Sequence, residues 1–289
     1  MKIYYFFTLL LLSAICQAQD VDIPDANFKD ALVNTACVDT DGDGSPDSDA
    51  DTNDDGEIQE SEAEAVLWLD VGSKNISSLE GIQSFTNLEV LLCGFNELTS
   101  LDVTQNTNLE ILSCRNNQLT SLDVQNTNLE VLQCFRNQLS SLDVTQNTNL
   151  ELLWCWNNEL TSLDVTQNTN LEDLGCGGNQ LTSLNIKNGN NHNMSTMMSW
   201  GNPNLTCIQV DDETAIYPTC TNGTGWCKDS IAIYREDCSL AVEDFNKLSF
   251  TLYPNPTQDV LNIDSQNPID SVRIYSLNGS LIKETKPLY

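Results

Sequence analysis

Between Asp39 and Glu62 the chain sets oxygen-bearing side chains at alternate positions. Asp51, Asn53 and Asp55 hold places one, three and five of a 12-residue stretch; Gly56 is sixth, Glu57 seventh and Glu62 last. Oxygens at that spacing converge on one hard cation. Gly56 permits a sharp turn, Glu57 offers its backbone carbonyl, and Glu62 closes the shell with both carboxylate oxygens. This is calcium chemistry. A second run, Asp39-x-Asp41-x-Asp43-Gly44, opens the same way. Ala50 takes its twelfth place, so completion would fall to Asp47 and Asp49, and Pro46 disfavours a regular loop. Residues 20–70 hold 17 acidic groups against one lysine, a net −16. Such a density repels itself into disorder unless cations screen it. Ca2+ is therefore expected as a structural ion.

Other chemistry is sparse. The 289 residues carry a formal charge of −30, from 42 Asp+Glu and 12 Lys+Arg. That balance speaks against a nucleic-acid partner, because phosphate binding rests on Lys and Arg. A single histidine, His192, leaves no His-rich zinc site and argues against Ser-His-Asp catalysis. Glu89, Glu110, Glu130, Glu151 and Glu172 recur as a column. A pair such as Glu151 and Glu172 could do acid-base work, but recurrence favours a solvated edge.

The elements that must position these groups come from a repeat. Leu88, Leu109, Leu129, Leu150 and Leu171 are spaced by 21, 20, 21 and 21 residues, and from each runs L-x-x-L-x-C-x-x-N-x-L. The inward set is Leu91, Leu112, Leu132, Leu153 and Leu174, with Cys93, Cys114, Cys134, Cys155 and Cys176. A degenerate copy keeps Met194, Met197 and Asn202, with Ser199 for cysteine, and a divergent copy leads at Leu69-Asp70-Val71. Alternate residues of a strand face one side, so the second Leu and the Cys point inward together. One repeat cannot bury that face alone; stacked copies can. The Asn after each strand can satisfy turn groups coil after coil. LTSLDV-type segments return along an outer wall, where short strands and little helix are expected. This pattern resembles the leucine-rich repeat family over residues 67–210. The fold class expected is mainly β: a leucine-rich repeat solenoid with a parallel sheet and ~21-residue coils. A small helical N-terminal cap, a disulfide-bonded C-terminal cap and a small partial β-sandwich tail complete it.

Strand spacing of ~4.8 Å opposes disulfides within the cysteine column, so five buried free thiols are expected there. Cys207, Cys220, Cys227 and Cys238 lie beyond the array, where an open solenoid end needs a stapled cap. Four cysteines allow three pairings; the nested one, Cys207–Cys238 around Cys220–Cys227, is favoured. Cys37 is left over and expected buried.

Outward strand positions are where solenoids bind. Arg115, Phe135, Arg136, Trp154, Trp156 and Trp200 fall there or beside it, the composition of binding hot spots. The competing reading is that these rings merely support one another along the sheet.

Around this array the sequence divides into a signal peptide (1–18), an N-terminal helical cap with the acidic loops (19–66), the array (67–210), a C-terminal cap (211–240), a linker (241–247) and a tail (248–289). Lys2 and the apolar run to Ile15 read as a secretory signal with cleavage before Gln19; Ile15 disfavours lipidation at Cys16. The 51–62 stretch resembles an EF-hand loop, flanked by helices expected at 25–34, capped by Asp25, and at 60–68. The 39–47 run is also similar to a thrombospondin type 3 calcium repeat. YPNPT at 253–257, then DVLNI and VRIYSLNG with Asn278-Gly279 as a hairpin turn, resembles the C-terminal sorting domain of the type IX secretion system. The resemblance implies export by that machinery, with a domain shortened at its last strands. The combination is similar to exported repeat proteins of the phylum Bacteroidetes. The expected function is a non-catalytic secreted or cell-surface protein that binds proteins through its concave face and is stabilised by calcium. A carbohydrate-binding surface module is the alternative and a hydrolase a lesser one. No transmembrane span is expected in the mature chain.

Overall fold

The computed structural model describes residues 19–124, 128–221, 224–238, 250–253, 262–265, 272–275 and 281–285. The expected signal peptide, the linker 241–247 and the tail's turns lie outside the described residues. The chain divides into two units, Met1–Cys238 and Ser239–Tyr289.

Phe28, Ala31 and Leu32, at helical spacing, are the buried face of α1 (Ala26–Asn34). Asp25 caps that helix by accepting from the Asn27 and Phe28 N–H groups. Its second oxygen accepts from Ser77 N at 2.9 Å, Ser77 Oγ at 2.6 Å and Ser78 N at 3.0 Å. One carboxylate thus ties the cap to the first coil. α2 (Glu60–Ala63) is shorter than the helix expected at 60–68. The chain leaves it early, because Trp68–Asp70 is already extended and paired with Val90–Leu92.

Strands follow in chain order: β1 (Trp68–Asp70), β2 (Val90–Leu92), β3 (Ile111–Ser113), β4 (Val131–Gln133), β5 (Leu152–Trp154), β6 (Ser162–Asp164), β7 (Asp173–Gly175), β8 (Ser183–Asn185), β9 (Thr196–Met198), β10 (Cys207–Gln209), β11 (Trp226–Cys227) and β12 (Ile233–Arg235). β1-β2-β3-β4-β5-β7-β9-β11 form one sheet and β12-β10-β8-β6 a second. Every pairing in both is parallel. The leucines stack in register, as Leu69, Leu91, Leu112, Leu132, Leu153 and Leu174 then Met197, all fully buried. This is a β-solenoid of leucine-rich repeat type. The outer strands form from Ser162 onward; before that, among the described residues, Asp102 and Asp123 make one isolated bridge.

The edge of β1 is not left open. Val38 bridges Leu69, and Asp70 N donates to the Cys37 carbonyl at 2.8 Å. The N-terminal cap therefore covers an edge that would otherwise present unpaired backbone groups.

Asparagines stitch the turns. Asn137 Oδ1 accepts from Leu119 N at 3.0 Å, and its Nδ2 donates to the Cys114 carbonyl at 3.1 Å and the Cys134 carbonyl at 3.0 Å. Asn117, Asn158, Asn179 and Asn202 repeat the arrangement. Each joins two coils and pays the desolvation of groups buried at the turn. A second column on the outer turn, Asn106, Asn147, Asn168 and Asn188, donates to carbonyls of the preceding coil.

Cys93, Cys114, Cys134, Cys155 and Cys176 are free and buried, as is Cys37. Burial pushes Cys114, Cys176 and Cys37 up to about 12. Cys93, Cys134 and Cys155 are raised too, by burial first and by adjacent thiols second.

The far end departs from the expected boundary at 210. Both sheets run on into 211–238 through β11 and β12, so the cap is built as further coil. Trp226 plugs the core end, donating to the Met194 carbonyl at 3.0 Å and stacked on Tyr217 at 3.9 Å between centroids. Disulfides Cys207–Cys238 and Cys220–Cys227 take the nested pairing.

In the second unit, β13 (Phe250–Tyr253) pairs antiparallel with β14 (Asn262–Ser265), and β15 (Val272–Tyr275) with β16 (Leu281–Thr285). The two pairs flank the proline and Asn-Gly turns expected from the sequence.

Candidate functional site

Because Leu91, Leu112, Leu132 and Leu153 point in, the residues on either side point out. Those after them are Leu92, Ser113, Gln133 and Trp154, continuing to Gly175 and Met198. Those before them are Val90, Ile111, Val131 and Leu152, a half-buried aliphatic row in register across four strands. The row stops at Asp173 and Thr196. Sequence reasoning missed this row, although the alternation that turns Trp154 outward turns Leu152 outward as well.

Beyond the inward cysteine lie Gly94, Arg115, Phe135, Trp156, Gly177 and Trp200. Phe135 and Trp156 stack at 4.0 Å between centroids, 12° from parallel, and Trp154 tilts against Phe135 at 6.3 Å. Phe135, expected as an exposed contact, is instead 6% accessible. The larger indole of the next coil covers it, and Arg115 leans over it from the previous one. The Arg115 guanidinium lies 5.7 Å from the Phe135 ring centre and 5.1 Å from that of Phe95. Arg136 sits 5.2 Å over Trp156. Trp154 donates to Asp173 Oδ1 at 3.0 Å. Trp200 is 51% accessible and lies against Gly177, where an added Cβ would meet the Trp200 carbonyl at 2.8 Å. The rings therefore do support one another, and they also leave an accessible outer surface of Trp156, Trp200, Phe95 and Arg136.

Phe95 is a second residue that the sequence did not flag. It is half exposed and stands at φ +57°, and Arg136 at φ +55°, where other coils place Asn116, Asn157, Gly178 and Gly201. A left-handed backbone at a non-glycine residue costs ~1–2 kcal/mol. The turn holds it through coil-to-coil bonds, Phe95 N to the Arg115 carbonyl at 2.9 Å and Arg136 N to the Trp156 carbonyl at 3.0 Å.

Glu89, Glu110, Glu130, Glu151 and Glu172 are exposed at the strand entrances. Backbone bonds from Glu110 N to the Glu89 carbonyl at 2.8 Å, and onward to Glu172, keep them in step. Among the described residues the ion pairs are Lys29–Glu57 and Arg235–Glu213, neither on this rim.

The acidic loops lie in the N-terminal cap. Asp51 Oδ2 accepts from Gly56 N at 2.8 Å and Asn53 Oδ1 from Asp55 N at 2.8 Å; Gly56 is at φ +86°. Glu62 reaches back across the loop: Oε1 accepts from Thr52 N at 2.9 Å and Oε2 from Gln59 N at 3.0 Å. Gln59, which the sequence did not flag, donates to both Asp55 oxygens at 3.3 Å and accepts from Asn53 at 2.7 Å. Asp51 and Glu62 are 3% and 6% accessible, and no lysine or arginine pairs with either among the described residues. Burial raises the Asp49 carboxyl, and the charges of Asp54 and Asp51 raise it further. The Asp55 carboxyl is held low by the Glu57 N–H foremost. Glu57 pairs its own side chain with Lys29, leaving its carbonyl as the group a metal would use. In the second loop Asp39, Asp41 and Asp43 each bring an oxygen within 4.8 Å of the others. Asp47 is turned to Thr40 instead, accepting from its hydroxyl at 2.9 and 2.8 Å.

Residues 251–288 match the family model described as the secretion system C-terminal sorting domain. The chain carries a type IX sorting tail. That tail directs it through the type IX secretion machinery to the cell surface or the outside. No helix among the described residues is long and apolar enough to cross a membrane. Among solved structures, the functional domain of InlJ from Listeria monocytogenes, which includes a cysteine ladder, is 31% identical over 66% of this chain and 38% of its own, with a TM-score of 0.46. A leucine-rich repeat protein of Leptospira interrogans is 28% identical over 45% of this chain and 33% of its own, at 0.36. Internalin C2 of Listeria monocytogenes is 18% identical over 69% and 92%, at 0.42. This chain thus spans 38% and 33% of the first two. No curated protein matches it significantly.

Proposed function

We propose that this sorted protein is a non-catalytic binding protein whose solenoid takes a protein ligand on the open, concave face of its eight-stranded sheet. The observation that carries the reading is the continuity of that face. An aliphatic row (Val90, Ile111, Val131, Leu152) and a band of rings and guanidinium groups (Phe95, Arg115, Trp156, Arg136) flank the column of Leu92, Ser113, Gln133 and Trp154, and the members of the band already hold one another in place. Prelocked aromatic and Arg contacts cost little entropy on binding. The test is proximity labelling from the displayed protein, repeated with Val131→Asp and Trp156→Ala. A partner lost in both variants supports the reading; partners unchanged in both refute it.

Calcium is proposed as the staple of the N-terminal cap. The donor set of Asp51, Asn53, Asp55, the Glu57 carbonyl and Glu62 is all oxygen, which suits a hard cation. Two buried carboxylates without a basic partner among the described residues favour one, since an unpaired buried charge is costly. Asp39, Asp41 and Asp43 form a lesser second candidate, without Asp47.

Trp200 favours a second reading, glycan capture. Its ring is exposed on one side and backed by Gly177 on the other, a platform suited to a sugar ring. A glycan-array signal abolished by Trp200→Ala would establish it over the protein ligand.

A further inference from the structure

The open face is charged asymmetrically, and this narrows the kind of ligand it suits. Along the strand direction the order is an exposed Glu rim (Glu89, Glu110, Glu130, Glu151), the aliphatic row from Val90 to Leu152, the column Leu92, Ser113, Gln133 and Trp154, and then the Arg115 and Trp156 band. We infer that the occupant is a cationic amphipathic helix lying along the stack, its basic ridge on the Glu rim and its apolar ridge on the aliphatic row. This rests on the concave-face reading and adds the ligand's charge and conformation to it.

Spacing decides between a helix and an extended strand. The rim repeats once per coil, at the strand spacing of ~4.8 Å, so the five glutamates from Glu89 to Glu172 span about 19 Å. A helix offers a ridge residue about every 5.4 Å, about 22 Å over four turns. An extended strand presents same-side residues every ~6.8 Å, about 27 Å over four steps. The helix stays closer in step with the rim, about 3 Å out over the whole span against about 8 Å for the strand. The acidic rim and the apolar row are adjacent columns, so the helix must carry its basic and apolar ridges side by side, each ridge built from residues three or four apart. The chain's charge of −30 would hasten the encounter of any cation, so steering must be separated from seating.

The test pans a displayed library of random 20-residue peptides on the full chain. Selected peptides are then measured by fluorescence anisotropy and circular dichroism. The expected binders carry net positive charge with Lys or Arg at i, i+4 and i+7 beside an apolar ridge, and gain helix on binding. Their affinity should fall at least tenfold when Glu89→Gln, Glu110→Gln, Glu130→Gln and Glu151→Gln are combined. It should fall far less in a variant of equal charge change on the outer wall, Asp102→Asn, Asp123→Asn, Asp143→Asn and Asp164→Asn. All eight positions are exposed. Equal losses in the two variants overturn the proposal, as do neutral or acidic binders, binders that stay non-helical, or no enrichment. Binders indifferent to the Glu variant but lost with Val131→Asp sink the cationic helix and leave the concave face standing. Binders indifferent to both sink the two together.

Discussion

The Trp156 indole lies flat on the Phe135 ring, with centroids 4.0 Å apart and planes 12° from parallel. The pair comes from consecutive coils, so the contact crosses the solenoid's repeat. It turns Phe135 into a floor and leaves Trp156 as the surface. Phe135→Ala is therefore expected to cost about 3–5 kcal/mol of stability, the usual range for a buried Phe. Trp200→Ala, at an exposed ring, should cost less than about 1 kcal/mol. Urea unfolding of both variants checks the order; an equal or inverted pair would contradict the assigned burial.

Calcium should raise the melting temperature. At a concentration a hundred times its Kd, a ligand of the folded state adds about 2.7 kcal/mol, or roughly 5–10 °C for a domain of this size. The shift is expected to vanish in Glu62→Gln and to shrink in Asp51→Asn. Differential scanning calorimetry with and without millimolar calcium decides, and an unchanged wild-type melt removes the metal.

The column thiols should be inert. Burial holds Cys114 and Cys176 up to about 12, so little thiolate exists at pH 8. Ellman's reagent is expected to find no fast-reacting thiol among the six described until denaturant is added. Cys114→Ser should destabilise more than Cys114→Ala, because a hydroxyl there must be buried. Rapid labelling of the native protein would mean that the coils open.

Asn137→Ala strands the Leu119 N–H and takes a donor from two cysteine carbonyls. At ~1–3 kcal/mol for each buried group left unmade, a loss of at least about 3 kcal/mol is expected. The exposed Asn108, with one bond of 3.2 Å to the Thr86 carbonyl, is the control, and Asn108→Ala should cost under about 1 kcal/mol. Similar losses for both would deny the ladder its role.

Burial opposes ionisation of Asp25, but Ser77, Phe28 and Ser78 outweigh it, and its folded pKa lies below the ordinary 3.8. The sign follows: the unfolded chain binds this proton more readily, so the stabilisation is full above the unfolded pKa and is lost as pH falls through the folded one. Asp25→Asn should lower the melting temperature at neutral pH, and the gap to wild type should close as the pH falls below the ordinary 3.8. A gap constant with pH would refute the charge contribution.

The period of the repeat by itself settled which residues face inward: the leucines, the five thiols and the turn asparagines. Side-chain direction in a strand is a local property, alternating from one residue to the next, so it is legible without a structure. The disulfide-stapled end and the oxygen spacing of the 51–62 loop were legible from residue type and spacing alone. Tertiary structure alone decided what those directions met. It buried Phe135 under Trp156 and set Phe95 beside Arg115. It carried Asp25 to Ser77, and both sheets past residue 210. It also turned Asp47 to Thr40 instead of to its aspartate neighbours. Each of these joins groups on different segments, where the size of a neighbouring side chain or the path of a turn determines the contact. A repeat pattern records orientation, whereas coverage depends on what the next coil happens to carry.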